Sequence, residues 1–169
     1  KPKALLVVSA HWEEQAFSIS TAEFPDMIFD YSGFPPHTYE LSYPAPGAPD
    51  LAQRVCEIVT EQGLSKPLYA NRGFDHGVFV PLLVAFPDAD IPILTMSLSK
   101  DLSPEKHLEM GKALSRLRDE GVLIIGSGMS YHNMRAFRTP AATAPSKEFD
   151  EWLTASIEAG NPDQRWNLL

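Results

Sequence analysis

The sequence predicts a single α/β domain with a central, mostly parallel sheet covered by helices on both faces. Two observations carry that expectation. Residues 4–8 and 122–125 are short, wholly apolar runs, as expected of strands buried on both faces. Helical patterns alternate with the strand segments, the arrangement that builds a sheet between two helical layers. The length of 169 residues fits one domain. Nothing along the chain reads as a repeat, a low-complexity tract or a linker, so residues 1–169 are expected to form one catalytic-type domain.

The elements follow in order. Residues 4–8 form the first strand, with Ser9-Ala10-His11-Trp12 at its carboxyl end. Phe17-Ser18-Ile19-Ser20 alternates with period two and reads as a second strand, and residues 27–29 as a third. Residues 31–50 are a long loop held open by Pro35, Pro36, Pro44, Pro46 and Pro49, and a loop of that length in a compact domain is usually functional. Pro49 and Asp50 open a helix with Leu51, Val55, Ile58 and Val59 on one face, and Gly63 stops it. A short strand is expected at 68–70, then a loop between Gly73 and Gly77. Residues 78–86 read as an apolar helix with Pro81 tolerated in its first turn. After a strand at 91–97, Ser103 caps a helix that starts at Pro104 and ends at Gly121, with Leu108, Leu114 and Leu117 inward. The strand at 122–125 leads into Gly126-Ser127-Gly128, and a last helix runs from about 146 to 159.

Composition narrows the function. The net charge of −8 repels phosphate backbones and offers no basic face to an anionic membrane, which argues against nucleic-acid and membrane partners. The longest apolar stretch, 78–86, is far short of the roughly 20 residues of a membrane span. The single cysteine, Cys56, allows no internal disulfide and reads as a small buried hydrophobe. A reduced, cytoplasmic setting is expected. The chain lacks an initiator methionine and closes on Trp166-Asn167-Leu168-Leu169, so it is expected to be part of a longer one.

In an open α/β sheet a ligand sits beyond the carboxyl ends of the strands. His11 and His132 each follow a core strand there, and His76 lies in the glycine-bounded loop. Three histidines converging on one crevice suit metal ligation or proton transfer. His37, in the proline loop, lines a pocket or packs beneath the loop, and Phe34, Tyr39 and Tyr43 offer aromatic faces from the same segment. His107 reads as a solvated helix residue, and the adjacent Glu13 and Glu14 as surface acids. Neither a Gly-x-Ser-x-Gly elbow, a dinucleotide fingerprint nor a phosphate loop is present.

Whole strings say more than spacing. Ser9-Ala10-His11-Trp12-Glu13, Tyr31-Ser32-Gly33-Phe34-Pro35, Tyr43-Pro44-Ala45-Pro46-Gly47, Arg72-Gly73-Phe74-Asp75-His76-Gly77, Phe86-Pro87-Asp88-Ala89-Asp90-Ile91-Pro92 and His132-Asn133-Met134-Arg135 occur in this order. Together they resemble the class III extradiol ring-cleaving dioxygenases, in their DOPA 4,5-dioxygenase branch, over nearly the whole chain. The resemblance implies insertion of both atoms of O2 into a catechol at a histidine-bound non-haem divalent metal, with Fe(II) supporting turnover and Zn(II) as an alternative occupant. It implies His11 and His132 as metal ligands and His76 as a residue acting on protons and oxygen. Tyr43, His37 and Tyr131 are expected beside the substrate, Tyr131 narrowing the pocket. The family also has a His-Gly-Ser-Pro segment before the first strand and a His-rich segment near its C-terminus, each with a further ligand, and neither is in these 169 residues. Two other readings use the same residues: a zinc hydrolase with Glu13 as base, and a non-catalytic binding protein of the same superfamily.

Overall fold

The computed structural model describes residues 1–158. The chain divides into two compact units, Lys1–Gly128 and Met129–Leu169. The first holds strands β1 (Ala4–Glu14), β2 (Ser18–Ser20), β3 (Leu68–Ala70), β4 (Ile93–Ser99) and β5 (Val122–Ser127) in one sheet of order β3-β2-β4-β1-β5. β1 runs parallel to both β4 and β5, with Leu6 opposite Leu94 and Ile124. β2 meets β4 antiparallel at Ile19–Met96 and runs parallel to β3. The three strands β4, β1 and β5 therefore point their carboxyl ends to one edge, and the predicted α/β sheet is mostly parallel.

Alternation along the strands divides the core. Leu6, Leu94 and Met96 pack under helix α1 (Pro49–Glu61) and helix α3 (Pro104–Leu114), against Ala52, Val55, Val59, Met110 and Leu114. Leu5, Val7 and Ile93 face the other way, onto Phe74 and onto Val78, Phe79 and Leu82 of helix α2 (His76–Ala85). Helices thus cover both faces, as a sheet of apolar strands requires. The start of α1 is Pro49, and its stop is Gly63 at φ +73°, a left-handed position that glycine takes at no steric cost. Ser103 caps α3 by accepting from the Lys106 amide. The second unit contains helix α4 (Thr143–Glu158), which overlaps the expected last helix. Among the described residues no helix is long and apolar enough to cross a membrane.

Several elements depart from expectation. β1 continues to Glu14, so Ser9 and His11 lie inside the strand and not after it. Its partnering with β4 shifts register between Val8 and Glu13, an irregularity of the kind that re-aims side chains near functional sites. Residues 27–29 form no strand; Met27 makes only an isolated bridge to Phe74. The helix predicted to Gly121 relaxes after Leu114 into a 3-10 turn, Ser115–Arg118. Pro81 sits in the interior of α2, which begins at His76. Its ring leaves the Gly77 carbonyl without the usual helical donor, and the Ser127 hydroxyl of β5 donates to that carbonyl instead. His107 is not a solvated residue. Its Nδ1 lies 2.7 Å from the Ser103 carbonyl, its Nε2 accepts from the Ser99 amide at 3.2 Å, and Phe17 meets its ring edge-on at 5.0 Å.

Candidate active site

The site grows from the carboxyl half of β1 and the first turn of α2. β1 pairs with β5 as far as Ser9 and with β4 as far as Val8 and again from Glu13, so His11 falls within the register shift, and α2 starts at His76, where the chain turns back over the sheet. This brings His11 and His76 together with ring centroids 3.9 Å apart. Asp30 arrives from the loop after Met27. Its Oδ1 accepts from the His76 backbone amide at 3.0 Å and lies 2.7 Å from His76 Nδ1. One ligand atom from each of His11, Asp30 and His76 lies within 4.8 Å of the others. Burial pushes the Asp30 carboxyl up, but the His76 amide and ring bonds outweigh it and hold Asp30 below the usual carboxylate range.

On its other side, His11 Nδ1 faces Ser9 Oγ at 3.5 Å and Asp75 Oδ1 at 4.0 Å. Each imidazole therefore has its Nδ1 directed at protein oxygens, which leaves Nε2 as the atom able to face a ligand. Two imidazoles and a carboxylate within one small radius form a donor set that suits a divalent transition metal, and carboxylates behind the rings are the usual support of such histidines. The chemistry of these residues thus fits the divalent metal that the resemblance implies.

Aromatic side chains wall the cluster. The Tyr31 ring stands edge-on to His76 at 5.7 Å and touches Phe34 at 5.5 Å and Tyr39 at 5.2 Å. Its hydroxyl donates to the Thr38 carbonyl, which pins the proline loop. Phe34 is 58% exposed and offers a free ring face beside this wall.

The expected site residues are placed as follows. His11 and His76 are brought together. His37 is exposed on the 3-10 turn Pro36–Tyr39, with no place in the cluster. Tyr43 belongs to the core and not to an open wall: it is 2% exposed, packs near Phe74, and donates its hydroxyl to the Phe86 carbonyl at 2.9 Å. Glu13 is exposed and outside the cluster. His132 and Tyr131 belong to the second unit, where they line a cavity of about 210 Å³ with Met129, Met134 and Phe137. Tyr131 stacks against Phe149 there at 5.8 Å. Sequence reasoning missed Asp30, expected the loop from Tyr31 to Gly47 to wall the pocket without naming the Tyr31 ring, and set Asp75 aside. The available signal was weak: Asp30 stands directly before the Tyr31-Ser32-Gly33-Phe34-Pro35 string, with no spacing that ties it to His76.

Comparison with known proteins shows the family. Residues 1–167 match the family described as the catalytic LigB subunit of aromatic ring-opening dioxygenase. A dioxygenase of Hapsidospora irregularis is 46% identical over 87% of this chain and 46% of its own length. A 4,5-DOPA dioxygenase extradiol of Beta vulgaris is 41% identical over 97% of this chain and 62% of its own. The crystal structure of an uncharacterized protein of Escherichia coli K12 superposes with a TM-score of 0.72 at 33% identity, over 95% of this chain and 62% of that one. The chain thus spans about half to three fifths of the length of these proteins. With a family match over nearly every residue and a histidine pair at the carboxyl edge of the parallel strands, this chain belongs to the LigB family of aromatic ring-opening dioxygenases.

Proposed function

We propose that this chain is the catalytic-type domain of an extradiol dioxygenase that opens the ring of a DOPA-like catechol with O2 at a histidine-bound non-haem divalent metal. The observation that carries the reading is the convergence of His11, Asp30 and His76 at the strand edge, in a chain whose relatives are named 4,5-DOPA dioxygenases. His11 is assigned to the metal, and the family resemblance implies a ligand role for His132. When bound, Fe(II) would supply a redox-active centre that brings catechol and O2 together, which lowers the entropy cost of their encounter, with Zn(II) as a redox-inert alternative occupant.

The remaining steps belong to side chains. A catechol must lose protons to bind through both oxygens, so a base is needed within reach. His76 is that base: Asp30 holds its Nδ1, so the proton is taken and returned at Nε2. The Tyr31–Phe34 wall takes the flat ring by offset or edge contact. Both oxygen atoms enter the ring-opened product, so no external reductant is consumed. A soluble setting without nucleic-acid or membrane partners fits the acidic composition.

The test is anaerobic loading of the full-length protein with Fe(II), then addition of oxygen and a catechol. A yellow ring-opened product with one O2 consumed per catechol supports the reading. Metal-dependent ester or amide hydrolysis without oxygen uptake sinks it in favour of the hydrolase, and metal-free binding of a protein partner sinks it in favour of the binding protein.

A further inference from the structure

Asp75 is a buried carboxylate that does not do what its position invites. It is the residue that opens α2, where an aspartate normally turns its side chain onto the first free amides of the helix and stabilises it by about 1 kcal/mol. Here the side chain makes no such cap; only the backbone carbonyl accepts, from Val78 and Phe79. The carboxylate points away from the helix, at 1% exposure, into the end of β1. Ser9 Oγ donates to its Oδ1 at 2.7 Å, and Arg72 supplies the counter-charge to Oδ2 at 3.2 Å. The Arg72 guanidinium in turn lies 4.9 Å over the Trp12 ring, which fixes it on β1.

The object of this arrangement is His11. Ser9 Oγ also accepts from the His11 amide at 3.2 Å, and the ring Nδ1 looks at Ser9 Oγ and Asp75 Oδ1 together. A hydroxyl oxygen whose own hydrogen goes to Asp75 can only accept from the ring, and a carboxylate can only accept. Both neighbours thus select the form of His11 that carries its hydrogen on Nδ1. A second, independent feature shows that the contact is built in. A Cβ at Gly77 would stand 2.6 Å from His11 Nδ1 and 2.6 Å from Ser9 Oγ, so the start of α2 reaches this distance only with glycine there.

We propose that Asp75, acting through Ser9 with Arg72 as counter-ion, is a positioning residue that locks His11 in the Nδ1–H tautomer with Nε2 free. The proposal rests on the reading of His11 as a metal ligand, but its first consequence is visible without metal. A neutral histidine side chain in water prefers the Nε2–H tautomer, so the lock is a measurable departure.

The experiment uses the full-length protein, Ser9→Ala and Asp75→Asn. The ring nitrogen shifts of His11 are read by ¹⁵N NMR without metal, with the ring neutral. Zn(II) affinity is read by competition with a chromophoric chelator, and melting temperature serves as the control for folding. The wild type is expected to show Nδ1–H. Ser9→Ala is expected to shift the ring toward Nε2–H and to weaken Zn(II) binding by roughly 10- to 100-fold, the usual effect of removing such support. Asp75→Asn, if it folds, should do the same; if it does not, Ser9→Ala decides. A wild-type ring already in the Nε2–H form, or a Ser9→Ala protein with unchanged tautomer and Zn(II) affinity, overturns the proposal. Wild-type protein that shows the Nδ1–H form yet binds no Zn(II) supports the lock and overturns His11 as a ligand instead.

Discussion

His76 holds two hydrogen-bond relations with one carboxylate oxygen, through its backbone amide and through its ring. That double hold fixes Nδ1 and leaves Nε2 for the proton. Replacing His76 with Gln keeps size and some hydrogen bonding but removes the base. Turnover should fall roughly 10²- to 10⁴-fold, the scale of general acid–base catalysis, while metal content measured by atomic absorption stays level. Loss of metal in step with activity would move His76 into the ligand set. Tyr43 makes the opposite case. Tyr43→Phe removes only the bond to the Phe86 carbonyl and should cost about 1 kcal/mol in chemical denaturation, with an unchanged substrate KM. A raised KM without destabilisation would return Tyr43 to the pocket. Phe34, by contrast, is exposed, and Phe34→Ala should raise KM with little change in melting temperature.

Between elements, the meeting of α2 with β5 invites a double-mutant cycle. Pro81 frees the Gly77 carbonyl and Ser127 satisfies it. Ser127→Ala should therefore leave a buried acceptor unpaired and cost about 1–3 kcal/mol. In a Pro81→Ala background the restored amide takes over that acceptor, and the cost of Ser127→Ala should shrink. Equal costs in both backgrounds, measured by urea denaturation, would show that the two residues are uncoupled. Much of the element order was legible because apolar strands, glycine stops and proline starts are local signals. The extension of β1 was not, since Ser9-Ala10-His11-Trp12-Glu13-Glu14 breaks the apolar run just as the strand leaves the core. His107 misled for the same reason: helical spacing put it on the polar side, but the end of β4 packs there and uses both its ring nitrogens. At the site, His11 and His76 were readable at a strand end and in a glycine loop. Asp30 was not, because its partner lies 46 residues away and only the fold joins them.

Across the molecule, carboxylates are tuned downward together. The Lys106 ammonium, with help from the Ser103 amide and the Ser99 hydroxyl, holds Asp101 at about 2. Arg54 lowers Glu120, and Lys1 lowers Asp90. Each of these groups binds fewer protons in the folded chain than in the unfolded one at mildly acidic pH. Their contribution is complete above the ordinary values, about 3.9 for aspartate and about 4.3 for glutamate, and is lost as pH falls through the folded values. The melting temperature should therefore drop as pH is lowered from about 5 to about 2, and Asp101→Asn should flatten that slope. A slope that Asp101→Asn leaves intact would assign the acid sensitivity to other groups.

The support behind His11 is assembled from Ser9, Asp75 and Gly77, so no short piece of unfolded chain can present that ring in the same way. A metal that binds there selects the native population, and affinity becomes a thermodynamic handle on folding itself. At a free metal concentration about a hundred times the dissociation constant, the native state gains about 2.7 kcal/mol. The melting temperature should then climb with the logarithm of metal concentration. Amide exchange at the first turn of α2 should slow with it, because opening that turn removes the support that Asp75 and Gly77 give to His11.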